Sequence, residues 1–382
     1  MRKQSLGLIA GTAAIALSLA GCGGSSSSST ASGASDAPSA AAGGASSAPA
    51  SAAAATGKVG VILPDASTSP RWESNDRPLL TAAFQTAGIQ SDIQNANGNK
   101  SKFGTICDSM INENVKVLLI VNLDSNSGSA CLKKAQTAGI KTIDYDRLTL
   151  GGGASYYVSF DNVQVGKLMG DGLQKCLTDA GKKSASVVLI DGDPTDNNAA
   201  LFKQGYVTSL KANSGIKVVG DQTGKWDATV AGTAFEQLYT QNNGKVDGVI
   251  SANDTMAGGI IARLKAAKVN GKVPVTGQDA SVAGLQAILA GDQCMTVYKA
   301  VKTEADAAAK LAVALIQGAD GASIATGSVK DTVLNKDVPS ALETPVAIYK
   351  DTVKDVIADG FQKKADVCTA AYAAACKAAG IS

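Results

Sequence analysis

Val115-Lys116-Val117-Leu118-Leu119-Ile120-Val121 is the stretch that decides the fold. It is an apolar run rather than an alternating one, the mark of a strand covered on both faces. Such a strand needs a helix on either side, and its neighbours have helical spacing. Residues 101–113 precede it, and residues 129–138 follow it and stop at Gly139. Further out, residues 58–63, 89–94, 140–145 and 156–160 read as strands, and residues 78–87 as a helix that ends at Gly88.

The alternation then begins again. Strands are expected at 186–190, 217–219, 246–251, 273–276 and 295–298. Helices are expected at 163–177, 197–210, 228–241, 256–267 and 282–289, with an Ala-rich helix at 303–316. Repeated βα units imply right-handed crossovers and parallel sheets. Two runs of about five strands predict an α/β protein with two Rossmann-like lobes. A TIM barrel is the rival with the same alternation. The break around residues 151–160, and the length of chain beyond it, favour two lobes.

A chain of 382 residues is long enough for two globular domains. Lys and Arg number 35 against 33 Asp and Glu, so nothing draws the chain generally toward nucleic acid or an acidic membrane. Histidine is absent. That removes the usual general base, the Ser/His and Cys/His pairs and the commonest metal ligand. No phosphate-cradling glycine loop is present either. A binding protein without cofactor or metal is expected, rather than an enzyme.

Residues 1–22 read as a targeting segment. Arg2 and Lys3 precede an apolar stretch from Leu6 to Leu19, too short for a membrane span. The ending Leu19-Ala20-Gly21-Cys22 resembles a bacterial lipobox, which would make Cys22 the lipidated first residue and anchor the chain to the outer face of the cell membrane. An ordinary signal peptide with an incidental cysteine is the plainer reading. Residues 23–57 are almost all Ser, Ala, Gly and Thr and read as a flexible tether. Six cysteines remain, Cys107, Cys131, Cys176, Cys294, Cys368 and Cys376. An even count in an exported chain favours disulfides over buried thiols. The expected pairs are Cys107 with Cys131, on neighbouring helices, Cys176 with Cys294, at one pole, and Cys368 with Cys376. Six cysteines leave many other pairings open.

In open α/β sheets ligands sit beyond the carboxyl ends of the strands. The polar clusters fall there: Arg71-Trp72, Tyr145-Asp146-Arg147, Asp196-Asn197-Asn198, Lys225-Trp226-Asp227, Asn253-Asp254, Gln278-Asp279 and Tyr298-Lys299. They mix amides, carboxylates and long cations, which between them satisfy hydroxyls that both donate and accept. Trp72 and Trp226, one from each half, offer faces for the C–H side of a sugar ring. Asp279, Asn253 and Asp254 can equally cap the helices that follow. Asp161-Asn162 reads as a hinge or cap, and Lys203 as part of a solvated helix face.

In this order, those strings and Ser159-Phe160-Asp161-Asn162, Val219-Gly220-Asp221-Gln222, Gly277-Gln278-Asp279-Ala280, Met295-Thr296-Val297-Tyr298-Lys299 and Asp337-Val338-Pro339-Ser340 make a more specific signal. The chain resembles the periplasmic sugar-binding proteins of bacterial ABC transporters, in particular their D-xylose-binding branch, over about residues 58–362. The resemblance implies a type I periplasmic-binding-protein fold with three chain crossings between lobes. It implies a first lobe of residues 58–161 plus 300–341 and a second of 162–299 plus 342–382. It also implies that Arg71, Trp72, Asp146 and Arg147 bind ligand from the first lobe. Asp196, Asn197, Asn198, Trp226, Asn253, Asp254, Asp279 and Lys299 would bind it from the second.

The expected function is capture of a monosaccharide, xylose or a similar pentose or hexose, by hinge closure, with delivery to an ABC permease by a monomeric lipoprotein. A membrane-coupled sugar sensor and a secreted sugar-acting enzyme are the alternatives. Residues 67–70 depart from the branch's pattern ahead of the Arg-Trp pair, which bears on which sugar binds.

Overall fold

A computed structural model of the chain describes residues 57–67 and 69–381. The expected targeting segment, Cys22 and all but the last residue of the expected tether lie outside the described residues.

Strand β1 (Lys58–Leu63) leads through a π-helical turn, Trp72–Asp76, into α1 (Arg77–Thr86). β2 (Gln90–Asn95), α2 (Lys100–Asn112), β3 (Val117–Ile120), α3 (Ser125–Thr137), β4 (Lys141–Tyr145) and β5 (Tyr156–Phe160) follow. The next stretch holds α4 (Asn162–Asp179), β6 (Ala185–Asp191), α5 (Asn197–Lys211), β7 (Ile216–Thr223), α6 (Ala228–Gln241), β8 (Gly248–Ser251), α7 (Asp254–Ala266), α8 (Val282–Ala290) and β9 (Thr296–Tyr298). α9 (Val301–Ile316), β10 (Gly327–Asp331), β11 (Lys336–Glu343), β12 (Val346–Ile348), α10 (Val353–Ala358), α11 (Lys364–Val367) and α12 (Ala373–Ala378) complete it.

The first sheet has seven strands in the order β10-β11-β5-β4-β3-β1-β2. Its strands are parallel except for the β10–β11 hairpin. β3 behaves as its composition requires. Val117 and Leu119 enter the core shared with α1 and α9, and Leu118 and Ile120 enter the core shared with α2 and α3. Alternate side chains leave opposite faces of a strand, so both sets must be apolar when helices cover both faces.

The second sheet is the parallel trio β7-β6-β8. The strand expected at 273–276 contributes only a bridge, Val249 to Val275. Pro274 has no N–H for a ladder, though its carbonyl accepts from Val249 N at 2.9 Å. The extended chain continues to a bridge between Gln278 and Val297, and β9 pairs antiparallel with β12. The residues after 316, for which no strand was expected, supply β10, β11 and β12.

Helix starts are set by short polar caps. Asp124, Asp161, Asp227, Asn253 and Ser281 each accept a backbone N–H three residues on. α4 and α5 touch at Gly166 and Gly205. A Cβ on Gly166 would lie 2.0 Å from the Phe202 carbonyl oxygen, so no larger residue fits that crossing. Disulfides join Cys107 to Cys131 between α2 and α3, Cys176 on α4 to Cys294 ahead of β9, and Cys368 to Cys376. The C-terminal segment packs on α8, with Val356, Val367 and Cys376 against Leu285, Ile288 and Leu289.

Candidate ligand-binding site

The carboxyl ends of both parallel sheets face one cavity. Its walls hold Arg71, Trp72, Asp146, Arg147, Asp196, Asn198, Trp226, Asn253, Asp279 and Lys299, together with Ser69, Phe202 and Gln278. It encloses about 340 Å³ of space free of atoms, part of it open to solvent.

Arg71 lies just ahead of the π-helical turn and is nearly fully buried. Three carboxylates hold it. Its Nε and Nη2 donate to Asp76 at 2.9 and 2.7 Å, Nη1 to Asp146 at 2.8 Å, and Nη2 also to Glu304 at 2.9 Å. Burial opposes its charge, but Asp76, Asp146 and Glu304 more than offset that, so its pKa rises further. The guanidinium carbon lies 4.4 Å from the Trp72 ring centroid, and that of Arg147 lies 5.4 Å from it. Cations so placed fix the indole by attraction to its face.

Asp146 is the junction between the two sides. Its backbone is left-handed, φ 63°, which turns the chain sharply off β4. Its carboxylate takes Arg71, Lys299 Nζ at 3.2 Å and Asn198 Nδ2 at 3.1 Å. Burial favours its neutral form, but Lys299, Arg71 and Arg147 hold it well below the usual carboxylate range. Arg147 Nε meets Asp196 at 2.9 Å. Asp196 also caps α5 by accepting from Asn198 N, and burial pushes its pKa up despite Arg147.

Trp226 forms the opposite wall. It packs edge-on to Phe202 with ring centroids 6.2 Å apart, and it too has a positive φ, 61°. Neither the Trp72 nor the Trp226 indole N–H has a hydrogen-bond partner among the described residues. Asp279 has φ 103° and accepts from Ser69 Oγ at 3.2 Å and from Gln278 Nε2. Burial raises its pKa, against the pull of Lys299 and Arg71. Backbone strain at Asp146, Trp226 and Asp279 therefore gathers around a single space, as it does at sites whose geometry is over-determined by their surroundings.

Two of the expected ligand contacts do not line this cavity. Asn197 is half-buried in the first turn of α5, outside the wall. Asp254 lies behind it, where its carboxylate accepts from Ser281 N, Gln293 Nε2 and Thr296 Oγ1 at 2.8, 2.8 and 2.9 Å. Burial raises Asp254 to about 7, with Asp279 adding to the rise. Asn253 both caps α7 and lines the cavity. Asp161 caps α4, while Asn162 Nδ2 donates to Asn198 Oδ1 at 3.1 Å. Lys203 is not merely a solvated cation, since it bridges Asp191 and Asp221 at 2.6 and 2.7 Å.

Sequence reasoning missed Phe202 and two supports of Arg71, Asp76 and Glu304, and it named Gln278 only within a cluster and not as a contact. Phe202 stands four residues after Asn198 on α5, the spacing that puts both on one face. Gln278 stands beside Asp279. Nothing local marks Glu304, which comes from α9, 233 residues beyond Arg71.

This arrangement is that of a ligand-binding protein built on a two-sheet periplasmic-binding-protein scaffold, and the chain belongs to the periplasmic binding protein domain family, which it matches over residues 59–320. It is 39% identical over 318 residues to the D-xylose-binding periplasmic protein of Escherichia coli, covering 81% of this chain and 92% of that one. It is 33% identical to the multiple sugar-binding periplasmic receptor ChvE of Rhizobium radiobacter over 328 residues, 81% of this chain and 92% of the receptor. A carbohydrate transporter solute binding protein from Chloroflexus aurantiacus, solved in complex with D-glucose, superposes with a TM-score of 0.74 at 29% identity, covering 81% of this chain and 98% of its own. The fold is the type I periplasmic-binding-protein fold, and the relatives are binding proteins, not enzymes.

Proposed function

We propose that the protein captures a monosaccharide, D-xylose or a close pentose or hexose, in this cavity and passes it to an ABC importer outside the cytoplasm. The observation that carries the reading is the pairing of two indole walls, Trp72 and Trp226, with amides, carboxylates and cations from both sheets. The walls cover the apolar face of a ring, and the polar groups accept and donate to its hydroxyls. Arg71, Asp146, Arg147, Asp196, Asn198, Asn253, Asp279 and Lys299 are the proposed hydroxyl contacts.

The proposed hinged units are residues 58–161 plus 300–341, and 162–299 plus 342–382. Because ligand would touch both, it stabilises the closed arrangement and shifts the population toward it. Attachment to the membrane through a lipid on Cys22 is part of the same proposal, as is a monomeric state.

A thermal-shift panel of monosaccharides on the full chain tests the reading, since a specific ligand raises the melting temperature by mass action. D-xylose or D-glucose is expected to raise it, and Arg147→Ala or Asp279→Ala to abolish the rise. A panel in which no sugar stabilises the protein overturns the reading.

A further inference from the structure

Beside the cavity lies a second and larger space, about 1860 Å³ free of atoms and partly open to solvent. Ser69, Arg71 and Asp279 line both, so one layer of side chains separates them. The 3.2 Å bond from Ser69 Oγ to Asp279 Oδ2 closes that layer.

The walls of this vestibule again come from both sides. Asn75, Pro78 and Leu79 face it from the π-helical turn and α1, and Gln286, Phe361 and Gln362 from α8 and the C-terminal segment. The sides meet where Asn75 Nδ2 donates to the Phe361 carbonyl at 3.4 Å. Phe361 is half-buried and packs on Tyr298, ring centroids 5.0 Å apart. The chain that follows it is braced. Gln286 Nε2 donates to the Asp366 and Val367 carbonyls at 2.9 and 3.2 Å, Gln362 Nε2 donates to the Ala280 carbonyl at 3.2 Å, and Cys368–Cys376 closes the loop beyond. A fixed aromatic ring among amides suits the same chemistry as the inner cavity, a C–H face bordered by hydroxyls.

We propose that the vestibule is an outer subsite for the second ring of a disaccharide whose first ring occupies the inner cavity. The proposal rests on the inner cavity's reading as a monosaccharide site. The glycosidic link passes where Ser69 meets Asp279, and a sugar hydroxyl takes the place of Ser69 on that carboxylate.

Titration calorimetry on the full chain tests this with two pairs of ligands, D-xylose with β-1,4-linked xylobiose and D-glucose with cellobiose. One disaccharide is expected to bind along with its monosaccharide. Asn75→Ala and Phe361→Ala are each expected to weaken the disaccharide about tenfold and to change the monosaccharide by less than about twofold. Should Phe361→Ala not fold, Asn75→Ala carries the same comparison. If a monosaccharide binds and neither disaccharide does, the outer subsite is refuted and the inner one stands. It is refuted equally if the variants weaken both ligands alike or neither. If no sugar of either size binds, the inner site's reading fails and the outer one falls with it.

Discussion

Gly192 lies directly against the Trp226 indole, where a Cβ would come within 2.1 Å of the ring's Cζ2. The glycine at the end of β6 therefore sets how deeply this wall sits. Gly192→Ala pushes the indole toward the cavity while leaving every polar contact in place. Overpacking of this kind costs about 1–3 kcal/mol. The variant is expected to melt earlier and to bind sugar more weakly. Calorimetric melting and titration check both, and an unchanged affinity would rule out Trp226 as a ligand contact.

Asp146 joins Arg71, Lys299 and Asn198, all of them buried. Asp146→Ala leaves two buried cations short of an anion. Removing one partner of a buried pair costs about 3–5 kcal/mol. Denaturant unfolding should register a loss of that size, and sugar binding should vanish in the fraction that remains folded. A variant of wild-type stability would mean that these cations reach water.

Asp144 is wholly buried, and its carboxylate accepts from Thr149 N and Oγ1, both at 2.7 Å. Burial raises it from 3.8 to about 7, and the nearby charge of Asp331 adds to the rise. In the unfolded chain it releases its proton near its ordinary value, while the folded chain keeps it until about pH 7. Over that window the native state binds more protons, so stability falls as pH rises and then levels off. Asp254, also raised to about 7, acts in the same direction. Asp144→Asn keeps a carbonyl for Thr149 N and should flatten the fall. Melting temperatures of the two proteins from pH 4 to pH 8 test it, and parallel curves would refute it.

The disulfides span very different lengths of chain. Cys176–Cys294 closes 118 residues, Cys107–Cys131 closes 24 and Cys368–Cys376 closes 8. Constraint on the unfolded chain grows with loop length, from about 3 kcal/mol for a short loop to about 4.7 kcal/mol for one of a hundred residues. Paired Cys→Ser replacements should lower the melting temperature most for Cys176–Cys294. The reverse order would show that native packing, not chain entropy, sets their worth.

The parallel core was legible because periodicity is local. The run at 115–121 and the glycines that stop the helices are short-range signals, and β3 lies where they put it. The hairpin of β10 and β11 was not legible. β11 pairs with β5, nearly two hundred residues earlier, and its alternation is hidden because polar Ser340 is buried while Pro339 and Leu342 are exposed. The site divides the same way. Residues that follow strands announced themselves, and ten of them line the cavity. Asn253 and Asp254 illustrate the limit, since adjacent positions at a helix start point to opposite sides of one wall and no pattern distinguishes them. Glu304 was invisible because its meaning depends on Arg71, a contact made by tertiary folding alone.

The cavity wall also carries a tally of formal charge. Arg71, Arg147 and Lys299 stand against Asp146, Asp196 and Asp279, with Asp76 and Glu304 buried behind Arg71, so every cation there already has a carboxylate partner. A guest with no charge leaves those pairs intact. A uronic acid or an amino sugar would bring an uncompensated ion into a space with little water to screen it. On the proposed function, discrimination against ionised sugars follows from the wall itself and needs no gate or steric block.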